Sequence, residues 1–166
     1  MQVPLNFFLS DNDYSFPDSS LALQEPNGLI GIGGDLSVER LLKAYSNGIF
    51  PWYSEGEPIL WYSPDPRMVI TPSTFHLSKS LKKTINSSRF DVLVDTSFNN
   101  IIRQCQEAPR YGQSGTWIDD EMVKAYTNLY KECYALSYEV VENGDLVGGL
   151  YGDALGGGFF GVSFLS

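Results

Sequence analysis

Apolar positions recur with a helical period in four places. Ser37 precedes a run in which Val38, Leu41, Leu42 and Tyr45 fall on one face, and Gly48 sits where a helix end favours a left-handed residue, so a helix is predicted between them. Ser78 is placed to cap a second helix whose Leu81 and Ile85 share a face while Lys82 and Lys83 meet water. Phe98, Ile101, Ile102 and Cys105 repeat at one-turn intervals and predict a third helix ending by Pro109. Asp119 caps a fourth, with Met122, Val123, Tyr126, Leu129 and Tyr130 facing inward. The period then changes. Residues 136–141 and 146–151 read as strands joined by Asn143-Gly144, the pair that a two-residue type I′ turn favours. A glycine loop at 156–158 leads into a third strand at 159–165, and 90–94 alternates as another, as does a short strand from Met68. Helices followed by an antiparallel meander place the chain in the α+β class.

Punctuation divides the rest. The first 35 residues are rich in Pro, Gly, Asn and Asp and predict irregular or short-strand structure. Residues 51–66 hold four prolines with Trp52, Tyr53, Trp61 and Tyr62 between them, a composition for extended chain and turns packed through aromatic rings. Read as an interdomain connection, this segment separates a small N-terminal domain at 1–65 from a second domain at 66–166.

With 166 residues, 43% of them hydrophobic and 14% aromatic, the chain can bury a core without staples. No Lys/Arg-led apolar run stands near Met1, and no apolar stretch approaches the roughly 18 residues that span a bilayer, so a cytoplasmic protein without membrane contact is expected. Cys105 and Cys133 are too few for a disulfide framework and have no metal-ligand spacing with the single His76; both are expected to be reduced, core-facing thiols, and no metal is expected. His76 alone reads as an ordinary packed or surface residue. A net charge of −9 argues against nucleic acid, which needs Lys and Arg. Its distribution says otherwise: residues 67–89 carry five cations, Arg67, Lys79, Lys82, Lys83 and Arg89, and no Asp or Glu. A solvated helix face and a phosphate-binding stripe both fit.

Two familiar patterns are excluded. The glycines between Gly28 and Gly34 are followed by no Lys-Ser/Thr pair, so they make no phosphate loop. The string Gly161-Val162-Ser163-Phe164-Leu165 lacks the last glycine of a nucleophile elbow and has no histidine after it. From the residues alone the chain is an α+β protein with an aromatic-rich cleft.

Longer strings carry more. Glu25-Pro-Asn-Gly-Leu, Gly33-Gly-Asp-Leu-Ser37, Ala44-Tyr45 with Gly48-Ile-Phe-Pro-Trp52, Trp61-Tyr-Ser-Pro-Asp-Pro-Arg67, Gly115-Thr-Trp-Ile118 and Leu146-Val-Gly-Gly-Leu-Tyr-Gly152 are together similar, in order and spacing, to the leucyl/phenylalanyl-tRNA–protein transferases. The resemblance runs from about Phe16 to Ser166. It implies transfer of Leu, Phe or Met from aminoacyl-tRNA, a co-substrate rather than a cofactor, to the N-terminal Lys or Arg of an acceptor protein, which marks that protein for degradation. It implies a small N-terminal domain followed by a GNAT-like (acyl-CoA N-acyltransferase-like) domain, incomplete here. The residues implied for the aminoacyl and adenosine pocket are Trp52, Trp117, Tyr126, Leu150, Phe159, Gly161, Val162 and Ser163, and those implied for the tRNA acceptor arm are Arg67, Lys79, Lys82 and Lys83. An aminoacyl ester is already activated, so holding it beside an amine in a dry site is the main task.

Two departures qualify the likeness. The family strand usually reads Gly-Glu-Ser-Met-Phe-Ser, and here Val162 stands where the glutamate would contribute to the pocket. The family continues with an Asp-Cys-Gln segment whose Asp and Gln are thought to assist the attacking amine, which gives no catalytic residue to assign in this chain. Four readings stay open: a truncated family member of little activity, an excerpt of an active enzyme, a non-enzymatic tRNA- or aminoacyl-binding remnant, and an unrelated acyltransferase-like enzyme.

Overall fold

The computed structural model describes residues 3–108 and 117–165. Pro109, Gly115, Thr116 and Ser166, which figure in the readings above, lie outside the described residues. Among the described residues, four α-helices and two four-stranded sheets give a mixed α+β structure. In chain order they are β1 (Phe8–Leu9), β2 (Leu29–Gly33), α1 (Val38–Ser46), β3 (Phe50–Pro51), β4 (Leu60–Tyr62), α2 (Lys79–Asn86), β5 (Asp91–Val94), α3 (Phe98–Glu107), α4 (Asp120–Lys131), β6 (Ala135–Glu142), β7 (Asp145–Leu155) and β8 (Gly158–Leu165).

Each cap predicted for α1, α2 and α4 forms. Ser37 Oγ accepts from Arg40 N, Ser78 Oγ from Leu81 N, and the Asp119 carboxylate from Met122 N, each satisfying one orphan N–H of a first turn. The N-terminus of α3 is capped from another strand. The buried Glu139 of β6 accepts from Thr96 N and Oγ1, Ser97 N and Ser137 Oγ, at 2.6 to 3.4 Å. α1 ends at Asn47 with Gly48 at φ 74°, as its sequence predicts.

The first sheet has the order β1-β2-β4-β3. Its centre is Trp61 of β4, fully buried, whose indole N–H donates to Gly33 O at 2.9 Å. The proline- and aromatic-rich segment at 51–66 therefore supplies β4 and the end of β3 to a sheet. Arg40 is also fully buried on α1 and donates to Ser10 O, Asp13 O and the Asp35 carboxylate, which ties the irregular N-terminal loop to the helix. Gly34 makes room for it: a Cβ there would stand 2.8 Å from the guanidinium carbon, and its φ is +73°.

The second sheet runs β5-β6-β7-β8, all neighbours antiparallel. Asn143 (φ 53°) and Gly144 (φ 93°) turn β6 into β7 with both central residues left-handed, as a type I′ turn requires. α3 and α4 cover one face, burying Phe98, Ile101, Ile102, Cys105, Met122, Tyr126 and Leu129, each worth roughly 1.5–3 kcal/mol for the larger apolar side chains. α1 packs against α4 and β7, so residues of both sheets share one apolar core. The other face, with Val92, Val94, Tyr138, Phe159 and Phe164, stays exposed.

Three expectations are corrected. No strand forms at Met68; residues 68–70 pair with nothing regular, and Met68 is 90% exposed. α2 forms, but Leu81 and Ile85 are exposed rather than packed, because no described element lies over them. Cys105 is buried as expected, whereas Cys133 is exposed at φ 62°, where the chain leaves α4.

Candidate functional site

A cleft of about 360 Å³ opens where the end of α1, β3, the start of the aromatic segment and β8 meet. Its size lies at the lower end of ligand pockets. Trp52, Trp117, Phe50, Pro51, Phe160 and Val162 form apolar walls, with Tyr45, Gly161 and Arg67 completing the lining. Trp52 is half exposed and braced edge-on by Tyr62, ring centroids 5.6 Å apart. Arg67 sits on the rim, its guanidinium 4.6 Å over the Phe50 ring and donating to Gly48 O at 3.1 Å. Such a lining accepts one apolar side chain, with a cation held at the mouth.

Beneath the lining lies a buried polar layer. The phenol groups of Tyr45 and Tyr126 are hydrogen-bonded to each other, and the Tyr151 ring packs edge-on against Tyr126 at 5.6 Å. Burial pushes both the Tyr45 and Tyr126 phenols well above their ordinary range, with Asp153 adding to the rise. Asp153, 1% exposed on β7, is raised from 3.8 to about 8 by burial, against a lowering pull from Tyr45. No hydrogen bond of ordinary geometry reaches either carboxylate oxygen from the described residues.

The structure brings together part of the residue set that the sequence suggests. Trp52, Trp117, Gly161 and Val162 line the cleft, and so does Arg67, which was expected to face tRNA. Tyr126 stands one layer behind, touching the cleft through Tyr45. Ser163 is buried opposite Tyr151 on β8. Leu150 and Phe159 are on the opposite face of the sheet: Leu150 is the register partner of Tyr138 and Phe164, and the Phe159 ring meets Tyr138 at 5.8 Å. Their place is taken by Phe160, whose ring lies 5.4 Å from that of Tyr45. Tyr45, Phe50, Pro51 and Phe160 are lining residues that motif reading did not single out, although the first three fall inside or beside the strings around Gly48. Asp153 was missed as well. Its one signal was a carboxylate in the interior of a strand whose other inner residues are apolar, aromatic or glycine.

Lys79, Lys82 and Lys83 project from α2, which has no buried residue, and enter no ion pair among the described residues. Arg89 is different, because it pairs with Glu142 and stacks on Phe90. No group of three or more metal-ligating side chains occurs among the described residues, and no helix there is long and apolar enough to cross a membrane.

Comparison with known proteins gives a family for the sequence. Residues 69–166 match the family profile described as leucyl/phenylalanyl-tRNA protein transferase, and residues 34–65 match the N-terminal domain of the same description. The leucyl/phenylalanyl-tRNA–protein transferase of Desulfatibacillum aliphaticivorans is 55% identical over 148 residues, covering 89% of this chain and 63% of that protein. Those of an Anaeromyxobacter species and of Saccharophagus degradans are 52% and 47% identical, covering 93% and 99% of this chain and 65% and 67% of their own lengths. The chain thus spans slightly less than two thirds of the first two relatives.

Proposed function

The chain belongs to the leucyl/phenylalanyl-tRNA protein transferase family, and from that premise we propose that its aromatic cleft seats the side chain of Leu, Phe or Met esterified to the end of a tRNA. The observation that carries this reading is the meeting of Trp52, Trp117, Phe50 and Phe160 in one cleft with Arg67 at its mouth. An apolar side chain gains burial against these rings, roughly 25 cal/mol for each Å² removed from water. A phosphate near the acyl ester meets Arg67, which binds such groups through a planar fork of donors. The acidic surface elsewhere repels tRNA, so the exposed Lys79, Lys82 and Lys83 of α2 are the natural contact for the acceptor arm.

In this reading the reaction is aminoacyl transfer to the N-terminal amine of a protein beginning with Lys or Arg, with aminoacyl-tRNA as co-substrate and no cofactor. The ester supplies the activation. The cleft supplies position and exclusion of water, which together account for much of such a rate. We place the work in the cytoplasm, divide the chain into a small domain at 1–65 and a GNAT-like domain at 66–166, and assign Trp52, Trp117, Gly161 and Val162 to the pocket, with Tyr126 and Ser163 supporting it.

A second reading, a tRNA- or aminoacyl-binding protein without transfer, is favoured by Val162, an apolar side chain in the cleft where the family carries a carboxylate. One experiment separates the two. Binding of leucyl-tRNA and of uncharged tRNA to the purified chain is measured by filter retention, with transfer of labelled leucine to an Arg-initial peptide followed in the same samples. Preference for leucyl-tRNA, lost in Trp52→Ala and Trp117→Ala, supports the aminoacyl cleft, and label in the peptide identifies the transferase. Equal affinity for charged and uncharged tRNA refutes the cleft assignment.

A further inference from the structure

Asp153 is a buried carboxyl without a counter-charge among the described residues. Two buried carboxylates project from the helix-covered face of the second sheet, and they differ in their partners. Glu139 accepts four hydrogen bonds and caps α3. Asp153 accepts none of ordinary geometry from the described residues, although it is 1% exposed. The groups that act on it are the phenols of Tyr45 from α1 and Tyr126 from α4, and the Tyr151 ring of β7 packs against Tyr126. Its register partners on the flanking strands, Ala135 and Phe160, carry no charge, and α3 reaches β7 through Phe98 and Ile101. Among the described residues, no Lys, Arg or His acts on it.

The position of this orphan group is specific. Tyr45, the one side chain that draws its proton affinity down, is itself part of the cleft lining. Phe160, directly opposite Asp153 in the β7–β8 ladder, lines the cleft too. The carboxyl therefore lies one layer behind an apolar cavity in which Arg67, the one cation among the described lining residues, is already engaged with Gly48 O and the Phe50 ring at the mouth. Val162, on the cleft wall, offers no charge.

We propose that Asp153, acting through Tyr45, is the counter-charge for the α-ammonium group of the amino acid that occupies the cleft. It is a positioning residue. The inference rests on the aminoacyl reading above and adds the group that orients the ligand. With the cleft empty, Asp153 keeps its proton, since an ionised carboxylate there would be uncompensated. When an ammonium enters, Asp153 ionises and accepts from the Tyr45 phenol, and Tyr126 in turn donates to Tyr45. That leaves the Tyr45 oxygen as an acceptor with negative charge behind it. An apolar ligand of the same shape without an amine has no such effect.

The chemistry predicts a proton count. Binding of L-phenylalaninamide and of 3-phenylpropanamide, its analogue lacking the amine, is measured by titration calorimetry at about pH 6.5 in two buffers of different ionisation enthalpy. Asp153 is protonated there before binding, so phenylalaninamide should release more than about half a proton per ligand, and 3-phenylpropanamide none. Asp153→Asn should abolish the release and reduce the preference for the amine by about tenfold or more, while leaving 3-phenylpropanamide binding in place. In the parent chain, the ¹³C carboxyl signal of Asp153 should titrate at lower pH with phenylalaninamide than without it, which tests the idea without a variant. Release that persists in Asp153→Asn, or binding of both probes without release, overturns the inference while the aminoacyl cleft stands. Failure of both probes to bind overturns the cleft assignment, and the inference with it.

Discussion

Replacing Asp153 by Asn should stabilise the chain, and by an amount that grows with pH. The folded carboxyl is raised from 3.8 to about 8 by burial. Below about pH 4 the carboxyl is protonated whether the chain is folded or not, and ionisation has no bearing on stability. Between about pH 4 and pH 8 the unfolded chain ionises Asp153 while the folded chain holds the proton, so the unfolded state gains and stability falls as pH rises. Each pH unit is worth roughly 1.4 kcal/mol, giving about 6 kcal/mol over the window. This is an upper bound, because water reaching the carboxyl would narrow the gap. Asn has nearly the same shape and no charge to lose. Its amide N–H groups bring a cost of their own, of roughly 1–3 kcal/mol, but that cost does not vary with pH. Urea unfolding of parent and variant at about pH 4.5, 6 and 7.5 therefore measures the slope directly, and every other titrating group cancels in the difference. The expected result is a variant that gains on the parent by roughly 1.4 kcal/mol for each unit of pH. Parallel stability curves would refute the reasoning, since they would mean that Asp153 is ionised and well solvated in the folded chain.

Three further outcomes follow from other parts of the structure. Changing Lys79, Lys82 and Lys83 together to Glu should weaken tRNA binding and flatten its dependence on salt, measured by filter binding at two ionic strengths; unchanged binding would make the stripe a solvated face. Asp119→Ala removes the acceptor for Met122 N at 2.7 Å and should cost about 1 kcal/mol in a urea melt, since α4 loses its cap; a cost near zero would show that water replaces the cap freely. The exposed sheet face ends at β8, which pairs only with β7 among the described residues, so the purified 166-residue chain should self-associate. Phe164→Lys, at a residue 72% exposed, should shift it toward monomer in light scattering, whereas Val162→Lys would instead put a charge into the cleft.

Much of the fold was readable because its signals are local. Caps at Ser37, Ser78 and Asp119, the inward set of α3 and the Asn143-Gly144 turn each depend on residues within a few positions of one another. The cleft depends on register, which is not local. Plain alternation along β8 from Ser163 would send Phe159 toward the helices and Phe160 to the open face. The ladder shifts between Tyr151 and Gly152, so Gly161 pairs with Gly152 and Val162 becomes the extra residue of a bulge. That single insertion exchanges the faces of the two phenylalanines, which is why Phe160 rather than Phe159 meets Tyr45. Gly152 makes the crossing possible, since a Cβ there would stand 2.1 Å from Phe160 O. Similarly, nothing in the spacing of Leu81 and Ile85 could show that no described element would cover them.

Glu139 and Asp153 show the same limit from the side of chemistry. In sequence each is one acidic residue in a strand, two positions from a buried neighbour, and either could serve as packing, cap or site. Folding gives Glu139 four donors and the N-terminus of α3, so its charge is compensated and its removal would leave those donors unpaired. Among the described residues, folding gives Asp153 the phenols of Tyr45 and Tyr126 and no ordinary hydrogen bond, so near neutral pH the folded chain is less stable for carrying it. A group that costs stability and touches a ligand cleft through one side chain is where a binding role is expected. The two measurements on Asp153→Asn should thus move in opposite directions, with stability gained at neutral pH as discrimination for the amine is lost. A variant that gained stability and kept full discrimination would place the ammonium elsewhere in the cleft and leave Asp153 as a buried carboxyl with no use.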